Sequence, residues 1–226
     1  RGGDESKHCE QPPERKGFRL MKKKIKSYLV FSSFSYKVCI FLLMPAVLAG
    51  VGIGIGSFCG EPGLTATAML LTMAEILSDH WLFSGLMAKE SERMEVLRTS
   101  GMGMEIMKNA LILDLLRKLL TAFGILAVCE LFTGHWGGLL LMAMVSYVFS
   151  TAGTFLARYG GGLAVNACIG QISALLVLGS LLCVYRSGLW RFRVGLELLF
   201  LVLGVLVSVL TVSKAMRRVK GGYYDQ

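Results

Sequence analysis

Glu75, Asp79 and His80, in the run AEILSDHW, and Asp114, Arg117 and Lys118, in the run DLLRK, are the residues whose types and spacing could do chemistry. Both runs lie inside long apolar stretches. Glu75 and Asp79 are four apart and so share one face of a helix. An ionised side chain near the centre of a bilayer costs ~2.5 to 3.5 kcal/mol on insertion scales, so these groups must face protein or water. Counted at ~1.5 Å per residue, Asp79 and Arg117 sit at matching depth, ~12 to 15 Å from the charged end of their stretches. That depth predicts an Asp79–Arg117 pair, with Lys118 meeting His80 or Asp114. Two roles stay open for such pairs. They hold helices in register, or they line a substrate path and relay a signal.

Other chemistries fit the same residues less well. A metal hydrolase within the membrane needs ligands from a second helix, yet the other histidines, His8 and His135, lie outside the apolar stretches. No GxSxG setting and no Cys/His pair suggests a nucleophile. An ion-coupled secondary transporter would carry protons on Glu75 or Asp79, and it predicts an internal repeat with broken helices. The first and last three apolar stretches show no such repeat, and Pro45 has no counterpart in the second half. The carrier, and after it an intramembrane enzyme, are the alternatives.

The elements that must position these groups follow from composition. Of 226 residues, 54% are hydrophobic and only 17% charged, too little charge to cover a water-soluble globule. The apolar residues gather into stretches of about twenty, the length that crosses a ~30 Å hydrocarbon core as helix. The sequence therefore predicts an all-α polytopic membrane protein with six transmembrane helices: Val38 to Ser57, Leu64 to Ala88, Ala110 to Phe132, Gly138 to Ala157, Leu163 to Tyr185 and Val194 to Ser213. Pro45 should kink the first. GVGIGIG, from Gly50, lacks the strand and partner acid of a dinucleotide site and reads as close helix packing. Six cysteines without ligand spacing read as small core residues. Asn166 and Gln171 are expected in interhelical hydrogen bonds. Glu130 and Glu197 are expected near water at the outer ends, with His135 and Trp136 as interfacial anchors.

The net charge of +9 concentrates at the ends of these stretches, which points to membrane orientation and anionic lipid heads, not to nucleic acid. From Met21 onward, Lys22, Lys23, Lys24, Lys26, Lys37, Lys89, Arg93, Arg98, Lys108, Arg158, Lys214, Arg217, Arg218 and Lys220 fall on the side holding both termini. Only Arg186, Arg191 and Arg193 fall on the other side, which puts both termini in the cytosol. Residues 1–20 are polar, precede Met21, and read either as an upstream extension or as residues of non-native origin. Residues 21–37 mix lysines with aromatic residues and predict an interfacial elbow helix. The transmembrane domain then covers 38–213, and 214–226 forms a cytosolic tail.

Between the second and third stretches lies KESERMEVLRTS. Glu90 to Thr99 favours helix, with Glu95 and Arg98 three apart and Met94 and Leu97 forming a small apolar face. Ser100, Gly101 and Gly103 break it, and Met104 restarts a helix that enters the third stretch. This segment resembles the one that follows the second span in type-2 ABC transporter permeases. There an acidic-basic run leads to a Leu and a turn, forming a coupling helix that docks on an ATPase subunit. Glu90 opens the matching run. Glu92 and Arg93 match the acidic-basic pair, Glu95 the following acid, and Leu97 the anchoring leucine. Arg98 precedes the turn, which Thr99 and Ser100 match. Met94 stands where that family often has Gly, and no Pro follows Thr99.

The resemblance implies a permease subunit of a bacterial ABC exporter, multi-pass in the cytoplasmic (inner) membrane, extending from Met21 to about Lys220. It also implies a second permease subunit, identical or related, and a separate ABC ATPase. No GxxxxGK[ST] occurs in this chain, so ATP and Mg would bind the partner ATPase and no cofactor this chain. Short outer loops and 12 Met suggest an amphipathic peptide or hydrophobic drug-like substrate, because Met side chains adapt to varied shapes.

Overall fold

A computed structural model of the chain describes residues 34–80, 102–134, 138–158 and 163–221. All elements among the described residues are helical. Six long helices appear: α1 (Phe34–Cys59), α2 (Glu61–Asp79), α3 (Gly103–Thr133), α4 (Leu139–Ala157), α5 (Leu163–Arg186) and α6 (Arg193–Gly221). Four of them, α1, α4, α5 and α6, are long and apolar enough to cross a membrane. The stretch Glu90 to Ser100, the proposed coupling helix, lies outside the described residues, as do 21–33 of the elbow. Residues 34–37 of that elbow belong to α1 and run directly into it.

The disturbance expected at Pro45 takes the form of a π-helical turn at Cys39–Leu43, where Met44 N–H reaches back to Cys39 O. Proline lacks an amide hydrogen and its ring crowds the carbonyl four residues earlier, so the helix widens just before it. Between α1 and α2, FCGEPG turns on one residue, Gly60, whose φ of 65° and ψ of −134° suit glycine alone. Pro62 then sits in the first turn of α2, where its missing N–H leaves no hydrogen bond unmade. Gly103, expected as a breaker, begins α3. α6 continues to Gly221, past the boundary expected at Ser213.

α1 and α2 descend from Gly60 in close contact. A Cβ on Gly63 would lie 2.6 Å from Ile55 O and 2.8 Å from Gly56 Cα, both backbone atoms. Gly63→Ala is therefore expected to part the two helices and cost about 1 to 3 kcal/mol, read as a lower thermal midpoint in detergent. Gly54→Ala, where a Cβ meets nothing within 4 Å, should leave that midpoint unchanged or slightly raised. In GVGIGIG, Gly52 and Gly56 pack inward against Thr67, Cys129, Thr133 and Leu64, whereas Gly50 and Gly54 face open space.

α2 and α4 form the centre. α2 packs against α1, α3, α4 and α5, and α4 against α2, α3, α5 and α6. Within their membrane-length windows α4 is 67% buried and α1 and α6 only 11%, so the outer helices present large apolar side chains such as Phe41, Leu198 and Val202 outward. Central position explains why α2 tolerates polar residues. Thr67 and Thr72 hydroxyls donate to carbonyls four residues back, and Thr72 also bonds the Ser146 hydroxyl of α4 at 2.9 Å. The end of the bundle nearest Gly60 is apolar, built on Leu64, Leu71, Leu126, Leu141 and Leu181. Of the described cysteines only Cys129 is buried; Cys59, Cys168 and Cys183 are exposed, because apolar surface in this chain lies outside as well as inside.

Candidate functional site

The other end of the centre holds six charged side chains on three elements. α2 supplies Glu75 and Asp79 from its last two turns. α3 supplies Asp114, Arg117 and Lys118, which three- and four-residue spacing places on one face. Arg158, the residue capping the C-terminus of α4, supplies the sixth. Each side chain has a relative exposure of 6% or less.

Arg117 grips Glu75 with both terminal nitrogens, Nη1 to Oε1 at 3.1 Å and Nη2 to Oε2 at 2.6 Å, and also donates to Asp114 Oδ1 at 3.2 and 3.3 Å. Arg158 grips Asp79 in the same two-pronged way, Nε to Oδ2 at 2.9 Å and Nη2 to Oδ1 at 2.6 Å, with Asp114 Oδ2 at 3.3 Å. Lys118 Nζ sits between Asp79 Oδ1 at 3.2 Å and Asp114 Oδ2 at 3.4 Å. Asp114 thus touches all three cations. Three positive charges meet three negative charges, so the cluster is formally neutral. Burying any one of these ions alone would cost several kcal/mol, and mutual attraction with two-pronged hydrogen bonding offsets that cost.

The pairing corrects the expected one. Arg117 meets Glu75, not Asp79, because α2 is displaced by one turn relative to the depth count. Asp79 goes to Arg158 and Lys118 instead. Asp114 does meet Lys118, and His80 does not. Its Nδ1 lies 2.5 Å from Asn166 Nδ2 of α5, which makes Asn166 one partner of the expected interhelical hydrogen bonds. Arg158, counted from sequence as a loop charge, is 7% exposed and belongs to the cluster. A signal for it was present: the runs AEILSDHW and DLLRK together hold three acids against two cations, one positive charge short.

Of the two carboxylates expected near water, one differs from expectation. Glu130 is buried at 2% exposure and accepts from Gly138 N–H at 3.2 Å, so it tethers the end of α3 to the start of α4 across their turn. Glu197 is partly exposed, as expected, and accepts from Arg193 Nε at 2.6 Å, which gives a partner to one of the three arginines counted from sequence on the outer side. Arg186 and Arg191 are exposed.

What the cluster can do follows from its saturation. Each carboxylate already faces one or more cations within hydrogen-bond or ion-pair distance, leaving no converging set of open lone pairs. No group of three metal-ligating side chains occurs among the described residues. The arrangement is a clamp: it fixes α2, α3 and the end of α4 against one another. α2 and α3 are also the helices that flank residues 81–101, so the clamp joins both sides of the charged stretch Glu90, Glu92, Arg93, Glu95, Leu97, Arg98, Thr99 and Ser100. Comparison with protein-family models, with curated proteins and with solved structures finds no match to this chain.

Proposed function

We propose that the chain is the permease subunit of an ATP-driven ABC exporter of a bacterial cytoplasmic membrane. In this reading α2 and α3 cross the bilayer with the other four helices, and both termini are cytosolic. Residues 21–37 form an interfacial elbow, and Glu90 to Ser100 form a coupling helix that docks on a separate ATPase, which binds ATP and Mg. Two such subunits, identical or related, enclose the path of an amphipathic peptide or hydrophobic drug-like substrate.

One observation carries this reading beyond the sequence resemblance. The buried clamp locks together the two helices that flank the charged stretch and ties them to α4. A push on that stretch is delivered to a rigid unit, which is what conversion of nucleotide state into helix movement requires. The same clamp weighs against a proton carrier: protonating Glu75 or Asp79 would strip an arginine of its two-pronged partner and leave the buried cluster one negative charge short.

The test is co-purification in detergent with the ATPase encoded beside this chain. The native chain is expected to retain the ATPase, and Glu92→Lys with Glu95→Lys is expected to release it while leaving the thermal midpoint of the permease unchanged. If neither form retains an ATPase, the exporter reading fails.

A further inference from the structure

α3 and α6 run antiparallel and leave a groove of about 690 Å³ between them, floored by Tyr147 of α4. Its composition changes along its length. Ile112, Leu116 and Leu119 of α3 line it together with Val209 and Val212 of α6. The two hydroxyls in the floor, Tyr147 and Ser208, bond each other at 2.7 Å and so present little unmet polarity to an occupant. At one end, where α3 begins and α6 nears its close, the lining becomes Lys108, Ser213 and Arg217. Lys108 and Arg217 are exposed and form no ion pair among the described residues, Glu105 three residues before Lys108 included.

Depth agrees with this polarity. α4, at 19 residues, is about 28 Å long, close to a hydrocarbon core, and ends beside the buried clamp. Lys108 lies six residues before Asp114 of that clamp, about 9 Å further along α3, at the depth of a headgroup layer. Lys214 Nζ stands 4.9 Å from the centre of the Phe155 ring, near the end of α4, which puts Arg217, one turn further along α6, about level with that end. Two cations at headgroup depth above an apolar trough are complementary to one kind of occupant, a chain-bearing amphiphile with an anionic head.

We propose that the α3–α6 groove holds an anionic phospholipid, with its headgroup on Lys108 and Arg217 and an acyl chain lying along Ile112, Leu116 and Val209 towards Tyr147. The site needs no ATPase partner. Its occupant also bridges α3 and α6.

Native mass spectrometry of the detergent-purified chain, titrated with dioleoyl phosphatidylglycerol or dioleoyl phosphatidylcholine, tests this. The native chain should hold the first lipid about tenfold better than the second, since each basic residue near a headgroup adds a several-fold preference. Lys108→Gln with Arg217→Gln should bring the ratio close to one without weakening phosphatidylcholine. Leu116→Trp, which fills the groove and leaves both charges in place, should weaken both lipids. Equal retention of the two lipids by the native chain, or an unchanged preference in the double variant, overturns the proposal. So does Nile red binding that Leu116→Trp abolishes but phosphatidylglycerol does not displace, since the groove would then take neutral apolar cargo.

Discussion

Asp114→Leu is expected to lose about 3 to 5 kcal/mol of stability, because it leaves uncompensated charge in a buried site. Asp114 is the one carboxylate that contacts Arg117, Lys118 and Arg158 together. Removing it leaves three cations facing Glu75 and Asp79 alone, and burial at 1% exposure keeps water from substituting for the lost carboxylate. The readouts are the thermal midpoint in detergent and the monodisperse fraction on size exclusion. Asp114→Asn keeps the shape and one acceptor oxygen but not the charge or the second acceptor, so it should fall between the native chain and the leucine variant. A leucine variant with the native midpoint would mean that the cations reach solvent and that the cluster is not closed.

Glu75 and Arg117 offer the complementary experiment. Arg117→Leu deprives Glu75 of its ion pair among the described residues, and a loss of about 3 to 5 kcal/mol is expected from the stranded carboxylate. Glu75→Leu should cost less, because Arg117 keeps Asp114 at 3.2 Å. The double variant removes one charge of each sign. Asp79 and Asp114 then face Lys118 and Arg158, two against two, and leucines fill the vacated volume. Stability is expected to return to within about 1 to 2 kcal/mol of the native chain, since apolar replacement of a complete buried pair is often neutral. The cycle should give a coupling energy towards the upper end of the ~0.5 to 3 kcal/mol seen for contacting residues. It also separates the two roles open for the cluster. If the pair serves register alone, the folded double variant transports as the native chain does. If the clamp relays force from an ATPase, the double variant keeps the ATPase bound but transports less per ATP hydrolysed.

Much of this was legible in the amino-acid order. Apolar stretches of membrane length fixed where helices run, with ends mostly within a few residues of those observed, because a hydrophobic period and its Gly and Pro punctuation are local properties. That Glu75, Asp79, Asp114, Arg117 and Lys118 must be partnered followed from the cost of burying charge, and the cluster contains all five. His80 stands one residue along and bonds α5 instead. Glu90 to Ser100 lie outside the described residues, so the coupling stretch rests on its sequence.

Tertiary structure decided which charge meets which. Glu75 and Asp79 lie about one turn apart on the same face, about 6 Å along the axis, and the spacing within α2 is equally satisfied if Arg117 docks on either. Only the height at which α3 packs against α2 selects Glu75, and that height depends on side-chain packing between helices whose sequences encode no shared register. Arg158 shows the same limit at a helix end. A long cation there can reach outward to water or inward to a carboxylate, and the choice is made by Asp79 and Asp114, which lie 79 and 44 residues away in the chain. The need for a neutral buried cluster is thus a sequence-level fact, whereas its wiring is a property of three packed helices.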